Sequence, residues 1–314
     1  MKRLLLVFIS IMMLISLAAC AKSGTYTGDK IVMTYVTSPL NVPSVLDYNH
    51  GYYKDTFGKQ GFGFDYSSIT SGADQTAALA SGDIQFLNAV GGSSVILAAS
   101  NELDIVILSM YSRAPKAFAM FSNDEDINSP EALRGLKIAG PKGTNLHELL
   151  VAYLATADMT IDDVEFVAMD IPSAMAALEG GSVDVALAGG TSAYNAVEAG
   201  KHMICDGEGL IAATICTATT REFAENNPEL VDEFLNTQQS IVDYMNENKD
   251  ATIEETARAL ELSEEAVSNM YEMYDFPTQI SSEDIELLQN TEGFLYESGM
   301  IEHHVDVNNL IYSR

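Results

Sequence analysis

The feature that most limits what this chain can fold into is a repeat. AALASGDIQFLNAVGGSS at 77–94 returns without a gap, 99 residues later, as AALEGGSVDVALAGGTSA at 176–193. Ala77, Ala78, Leu79, Gly82, Ala89, Gly91 and Ser93 recur as Ala176, Ala177, Leu178, Gly181, Ala188, Gly190 and Ser192. Each copy reads as a helix stopped by glycine, an apolar strand, a glycine-rich turn and a new helix start. Strand-sized apolar runs at 31–36, 64–69, 84–89, 105–110, 136–139, 164–169, 183–188 and 202–205 alternate with helical stretches. That alternation specifies an α/β fold with largely parallel sheets. With 47% apolar residues in 314, the chain can give each of two similarly built lobes its own core. Ser129-Pro130 predicts the start of a further helix that Gly135 ends.

Ahead of the lobes, Lys2 and Arg3 precede an apolar run that closes on Leu17-Ala18-Ala19-Cys20. This order of basic, apolar and small residues reads as an export leader, and the run falls short of the ~20 apolar residues a membrane span needs. The Leu-Ala-Ala-Cys string resembles the lipobox of bacterial lipoproteins. It implies a signal peptide over 1–19, lipid attachment at Cys20 and a polar tether over 20–29. The mature protein is then expected on the outer face of the cytoplasmic membrane. A formal net charge of −29 excludes nucleic acid as a partner. Cys205 and Cys216 are expected as buried thiols on neighbouring strands, with a disulfide as the alternative. HELLV at His147 lacks the second histidine of a zinc motif and His303-His304 stands isolated, so no metal and no cofactor is expected.

Ligands of open α/β sheets bind beyond the carboxyl ends of the strands, where glycine admits a close backbone and helix starts point N–H groups outward. The first lobe offers there Ser38, Pro39 and Asn41, then Gly72, Asp74 and Gln75, then Gly91, Gly92 and Ser93. The second offers Gly143, Thr144 and Asn145, the run from Asp170 to Ser173, and Gly190, Thr191 and Tyr194. In GPKGTNLHELL, the stripe Leu146, Leu149, Leu150, Tyr153 and Leu154 marks an amphipathic helix, and Thr144 or Asn145 stands at its start. Lys142 precedes the glycine, so this is not a phosphate loop. Two lobes facing each other place these loops around one cleft.

SGADQTAALASGDIQFLNAVGGSSVILAASNELDIVIL is similar to a run in the type II periplasmic binding proteins of ABC importers, in the sulfonate, taurine, nitrate and thiamine-pyrimidine-precursor branch. Gly72, Ala78, Leu79, Gly82, Asp83 and Ile84 fit that branch's pattern, and Gln85 replaces its usual Asp. LRGLKIAGPKGTNLHELLVAYL, Val183-Asp184-Val185-Ala186, REFAENNPELVDEFL and EDIELLQNTEGFLYESGMIEHHVDV match in the same order. The resemblance implies two α/β lobes joined by a two-crossing hinge. The first would comprise 30–112 and 213–314, the second 113–212, with crossings near 111–116 and 209–214. It implies a monomer that captures a small solute, performs no catalysis and delivers its cargo to ABC permease subunits.

Basic residues near the cleft are few: Arg113, Lys116 and Lys142. Arg113 is a candidate clamp for a carboxylate or sulfonate, or else a residue at a strand end. The hydroxyls of Ser38, Ser93, Thr144 and Thr191 add neutral donors, and with no Trp in the chain Tyr35, Tyr111 and Tyr194 are the stacking candidates. These groups suit an anionic or zwitterionic organic solute. A ligand-sensing receptor and a pyrimidine-precursor-type enzyme on the same fold are the alternatives. The enzyme reading lacks a G-x-S-x-G elbow or a His/Cys cluster and would rest on His147 and Asp74.

Overall fold

Strand β1 (Lys30–Thr34) runs parallel to β2 (Gly63–Ser67), paired from Lys30 with Gly63 to Thr34 with Ser67. A bridge from Met33 to Phe86 attaches this pair to a three-stranded sheet in the order β3 (Leu87–Gly91), β10 (Thr214–Thr220), β4 (Ile105–Arg113). The second lobe holds β5 (Phe118–Ser122), β6 (Lys137–Gly140), β7 (Glu165–Ala168), β8 (Val185–Gly189) and β9 (His202–Asp206), ordered β7-β6-β8-β5-β9. This computed structural model describes residues 26–37, 40–69 and 71–313, so the expectations at Cys20, Ser38 and Pro39 lie outside the described residues. Among the described residues no helix is long and apolar enough to cross a membrane.

The repeat survives in three dimensions. Helix α3 (Gly72–Ser81), β3 and α4 (Gly92–Ser100) reappear as α6 (Ile171–Glu179), β8 and α7 (Thr191–Glu198). Both helix starts keep the 99-residue offset, because glycine and small polar residues fix where each helix begins. Strand β8 is buried along its whole length and β4 at every position but Arg113, so β8 reads as a continuous apolar run and β4 as one interrupted by Ser109 and Ser112.

Two strands lie outside the expected runs: β10, and β5, which is itself largely apolar and buried throughout. The threonine-rich β10 lies inside its sheet, antiparallel to β3 and β4, because its hydroxyls find partners. Thr217 shares a hydrogen bond with Ser109 at 2.5 Å, and Thr219 donates to the Gln85 carbonyl at 2.7 Å. Strand β5 is antiparallel to both β8 and β9. These are the strands at which the chain passes between lobes, so the sheets are mixed where largely parallel ones were expected.

Two further expectations change. The segment after Ser129 forms only a 3-10 turn, Pro130–Leu133, whose Ser129 makes no capping bond, although Gly135 does stop it at φ +75°. Cys205 on β9 and Cys216 on β10 are free thiols in separate sheets rather than on neighbouring strands. In the first core, Phe86 stacks on Phe234 of α9 (Pro228–Glu247) at 4.4 Å, with Leu230 and Val231 buried beside it.

The first crossing leaves β4 at Arg113, whose N–H and carbonyl exchange hydrogen bonds with Asp275 at 2.8 and 2.9 Å. Its guanidinium donates Nε and Nη2 to the two oxygens of Asp284, at 2.6 and 2.7 Å, and Nη1 to Asp275 at 2.6 Å. Asp284 is fully buried in the first turn of α12 (Ser282–Glu297), capped by Ser281. Burial pushes its carboxyl up, but hydrogen bonds from Arg113 and Ser281 more than reverse this and hold it below the usual range. The second crossing turns at Ala213, buried, with φ +46°. Removing one partner of a buried, bidentate pair leaves the other charge stranded, at a cost of about 3–5 kcal/mol. Arg113→Met should therefore lose about that much unfolding free energy in denaturant titration. A loss below about 1 kcal/mol, the range of surface pairs, would contradict this role.

Candidate ligand-binding cleft

Strands β3 and β4 both run against β10, so their carboxyl ends share the edge at which β1 and β2 end. In the second lobe β6, β7 and β8 are parallel and end together at Gly140, Ala168 and Gly189. The chain leaves β4 at Arg113 and enters β5 at Phe118, which pairs with Gly189. The helix starts that follow these two carboxyl edges are the candidate walls of the cleft.

On the first wall, Asn41 precedes α1 (Val42–His50) and is buried. Gly72 opens α3 directly against Ser94 of α4, and a Cβ there would collide with the Ser94 side chain. Asp74 is exposed, and its backbone N–H donates to the capping hydroxyl of Ser71. Gln75 is buried, and its amide donates to the Ile69 carbonyl at 2.9 Å, which braces the loop before α3. Gly91 and Gly92 lead into α4, and a Cβ on Gly92 would meet Leu288 of α12 at 2.5 Å. Ser93 is buried, and its hydroxyl has no hydrogen-bond partner among the described residues.

On the second wall, a Cβ on Gly143 would stand 3.6 Å from Leu97 and 3.8 Å from Met300, so this loop rests on the first lobe. Thr144 precedes α5 (Asn145–Ala155), but its hydroxyl donates to the Pro141 carbonyl at 2.9 Å and caps nothing. Asn145 is buried at the first position of the helix. Gly190 adopts φ +55°, ψ −126°, a conformation open essentially to glycine, and its N–H donates to the Ala117 carbonyl at 2.7 Å. It turns the chain into α7, where Thr191 and Tyr194 follow. Tyr194 is half-buried and packs against the aromatic core of the first lobe.

Beneath the first wall lies a buried polar network that sequence reasoning missed. Thr34 and Asn88 exchange hydrogen bonds at 2.7 and 3.0 Å, the Asn88 amide donates to Ser44 at 3.3 Å, and Ser44 meets the Tyr111 hydroxyl at 2.8 Å. The one available signal was Asn88 itself, a polar residue where the repeat has Leu187. Tyr111 is 1% exposed, and its hydroxyl is spent on Ser44, so it is no stacking platform. Tyr35 packs on Tyr48 and Tyr66, at 4.9 and 5.6 Å between ring centres. Arg113 is likewise committed to Asp284 and Asp275, which makes it a brace for the hinge rather than a ligand clamp.

A family profile described as "NMT1/THI5 like" matches residues 41–252. The chain belongs to that family. Among its relatives, a putative aliphatic sulfonates-binding protein of Bacillus subtilis (strain 168) is 26% identical over 99% of this chain and 95% of its own length. The taurine-binding periplasmic protein of Escherichia coli (strain K12) is 33% identical over 57% of each chain. The crystal structure of the periplasmic aliphatic sulphonate binding protein SsuA from Escherichia coli superposes with TM-score 0.79 at 21% identity, covering 91% of this chain and 98% of that one. The alkanesulfonate-binding protein SsuA from Xanthomonas axonopodis pv. citri, bound to MOPS, gives TM-score 0.82 at 19% identity, over 92% and 99%. Both share the two-lobed periplasmic-binding-protein fold with this family member. Its relatives are solute-binding proteins rather than enzymes.

The histidine on which an enzyme reading would rest is a packed ring. His147 is 3% exposed, stacks on Phe166 at 4.6 Å and meets Phe294 of α12 edge-on at 5.9 Å. Burial, aided by Lys142, lowers its pKa to about 4. Its neighbour Glu148 crosses to the first lobe, accepting a 2.9 Å hydrogen bond from Thr291 of α12, and burial raises its pKa to about 7 despite that bond. At the C-terminal end, His304 stacks on Tyr296 and pairs with Glu292, and the described residues hold no cluster fit for a metal.

These two groups oppose each other in acid. The unfolded chain protonates its histidine near 6.5 but the folded one near 4, so His147 removes stability as pH falls between those values. The folded protein holds the Glu148 proton from pH 7 downward while the unfolded chain takes it up only near 4.5, so Glu148 adds stability as pH falls through that window. Each effect amounts to about 3 kcal/mol at 1.36 kcal/mol per pKa unit. Glu148→Gln removes only the gain. Between pH 7 and pH 4.5 the variant should lose about 3 kcal/mol more unfolding free energy than the parent, and parallel stability profiles would contradict this.

Proposed function

We propose that this protein is the extracytoplasmic solute-binding component of an ABC importer and that its cargo is a small organic sulfonate held between the lobes. The names of its relatives support the sulfonate class. So does the chemistry of the cleft, because a sulfonate offers three acceptor oxygens and a single spread negative charge, which neutral donors satisfy. The observation that carries this reading is the set of uncapped helix starts. Helices α4, α5 and α7 open on the cleft from both lobes, and none is capped by a side chain of its own. Beside them, α3 and α6 are capped by Ser71 and Asp170. First-turn N–H groups left unclaimed in a facing pair of walls suit an anion. Lys142, exposed and in no ion pair among the described residues, adds positive charge at the rim.

The lobes, 30–112 with 213–314 and 113–212, turn about the crossings at Arg113 and Ala213. A ligand that touches both walls favours the closed form by its differential affinity for it. The protein works as a monomer, releases the solute unchanged to the permease subunits and is tethered through lipidated Cys20. Cys20→Ser should free it from the membrane fraction, and retention after a high-salt wash would remove the anchor from this account.

Calorimetry with taurine, methanesulfonate and MOPS against the matching carboxylates tests the cargo. Sulfonates should bind at least tenfold more tightly. Removing one hydrogen bond to a charged ligand costs about 1.5–3 kcal/mol, so Ser93→Ala should weaken sulfonate binding roughly ten- to hundredfold. A preference for carboxylates would overturn the class, and unchanged affinity in Ser93→Ala would take that hydroxyl out of the site.

A further inference from the structure

His147 stands where three surfaces meet. It is the third residue of α5, its ring stacks on Phe166 of β7 at 4.6 Å, and Phe294 of α12 meets it edge-on from the first lobe. Its Nδ1 accepts a hydrogen bond at 3.4 Å from the N–H of Gly143, four residues back. Gly143 turns there at φ +73°, a conformation that favours glycine, and the Thr144 hydroxyl closes the same loop on the Pro141 carbonyl at 2.9 Å. From the third helical position a side-chain acceptor can reach back over the start of its own helix, as Glu or Gln does in a capping box.

That bond fixes the tautomer: Nδ1 accepts, so the proton of the neutral ring sits on Nε2. Nε2 is buried with no hydrogen-bond partner among the described residues. A buried N–H without an acceptor costs stability, and a phenyl ring would fill the slot between Phe166 and Phe294 without that cost. On packing alone imidazole is the poorer occupant, and what it adds over phenyl is the acceptor at Nδ1. The loop that this acceptor holds leads through Gly143 and Thr144 into α5 and rests on Leu97 and Met300 of the first lobe.

We infer that His147 is a positioning residue for the cleft: by accepting from Gly143 it holds the loop from Pro141 to Thr144 in the shape that aims the start of α5 at the solute. This rests on the sulfonate reading for what the loop meets, but not for the hydrogen bond itself. Because Phe294 presses on the same ring, the shape of the loop is also tied to α12 in the first lobe.

Two variants of the full mature chain separate the hydrogen bond from the packing. His147→Asn places Oδ1 where Nδ1 stands and removes the ring, whereas His147→Phe keeps the ring and removes the acceptor. Thermal melting establishes that each is folded, and His147→Phe decides alone if His147→Asn does not fold. Exchange of the Gly143 amide, followed by NMR without ligand, should quicken at least about fivefold in His147→Phe and change by less than about twofold in His147→Asn. Calorimetry with methanesulfonate should show binding about tenfold weaker in His147→Phe and within about threefold of the parent in His147→Asn. NMR of the ring nitrogens in the parent should show the proton on Nε2. An unchanged Gly143 exchange rate in His147→Phe, or parental methanesulfonate affinity in that variant, would leave the ring a packing role only and overturn the proposal. If the parent binds neither methanesulfonate nor taurine, the cargo reading fails, while the exchange rates still decide whether His147 holds the loop.

Discussion

The arrangement of this molecule depends on one buried guanidinium–carboxylate pair. Arg113 ends the strand that leaves the first lobe, and its two parallel bonds to Asp284 fix the first turn of α12 against that exit. Everything α12 presents follows from this anchoring: Leu288 under Gly92, Thr291 on Glu148 and Phe294 on His147. A planar fork with both oxygens matched resists rotation in a way a single contact does not. The hinge therefore has a fixed pivot on one crossing and a strained residue, Ala213 at positive φ, on the other.

That pivot also bears on how an acidic protein would accommodate the proposed anion. The formal charge of −29 resides largely on solvated helix faces, where it governs solubility, while a cleft is governed by the groups within a few ångströms of the ligand. With Arg113 spent on structure, the charge of the proposed solute would fall to backbone N–H groups at helix starts and to neutral hydroxyls. Such donors are fixed in direction before the ligand arrives and need no reorganisation to meet it.

Much of this was legible from local pattern. The glycines and small polar residues that begin and end α3, α4, α6 and α7 act within a few positions of themselves, so the repeat located these helix starts in both lobes. What stayed hidden depended on distant partners. Strand β10 is threonine-rich and becomes a central strand only because Ser109 and Gln85 receive its hydroxyls. Asp284 lies 171 residues from Arg113, so a side chain that looked available to a ligand was already paired. Ser44, Asn88 and Tyr111 form one network from three separate elements. His147 stood as the residue an enzyme reading would rest on until α12 closes over it.

The central claim is that an anionic solute joins two walls that otherwise move about the Arg113 and Ala213 crossings. Small-angle X-ray scattering of the mature chain, with and without saturating taurine or methanesulfonate, tests it most directly. Closure predicts a smaller radius of gyration and a shorter maximum dimension in the sulfonate-bound protein, with the recovered solute chemically intact. Superposable scattering curves from samples that calorimetry shows to be saturated would contradict it.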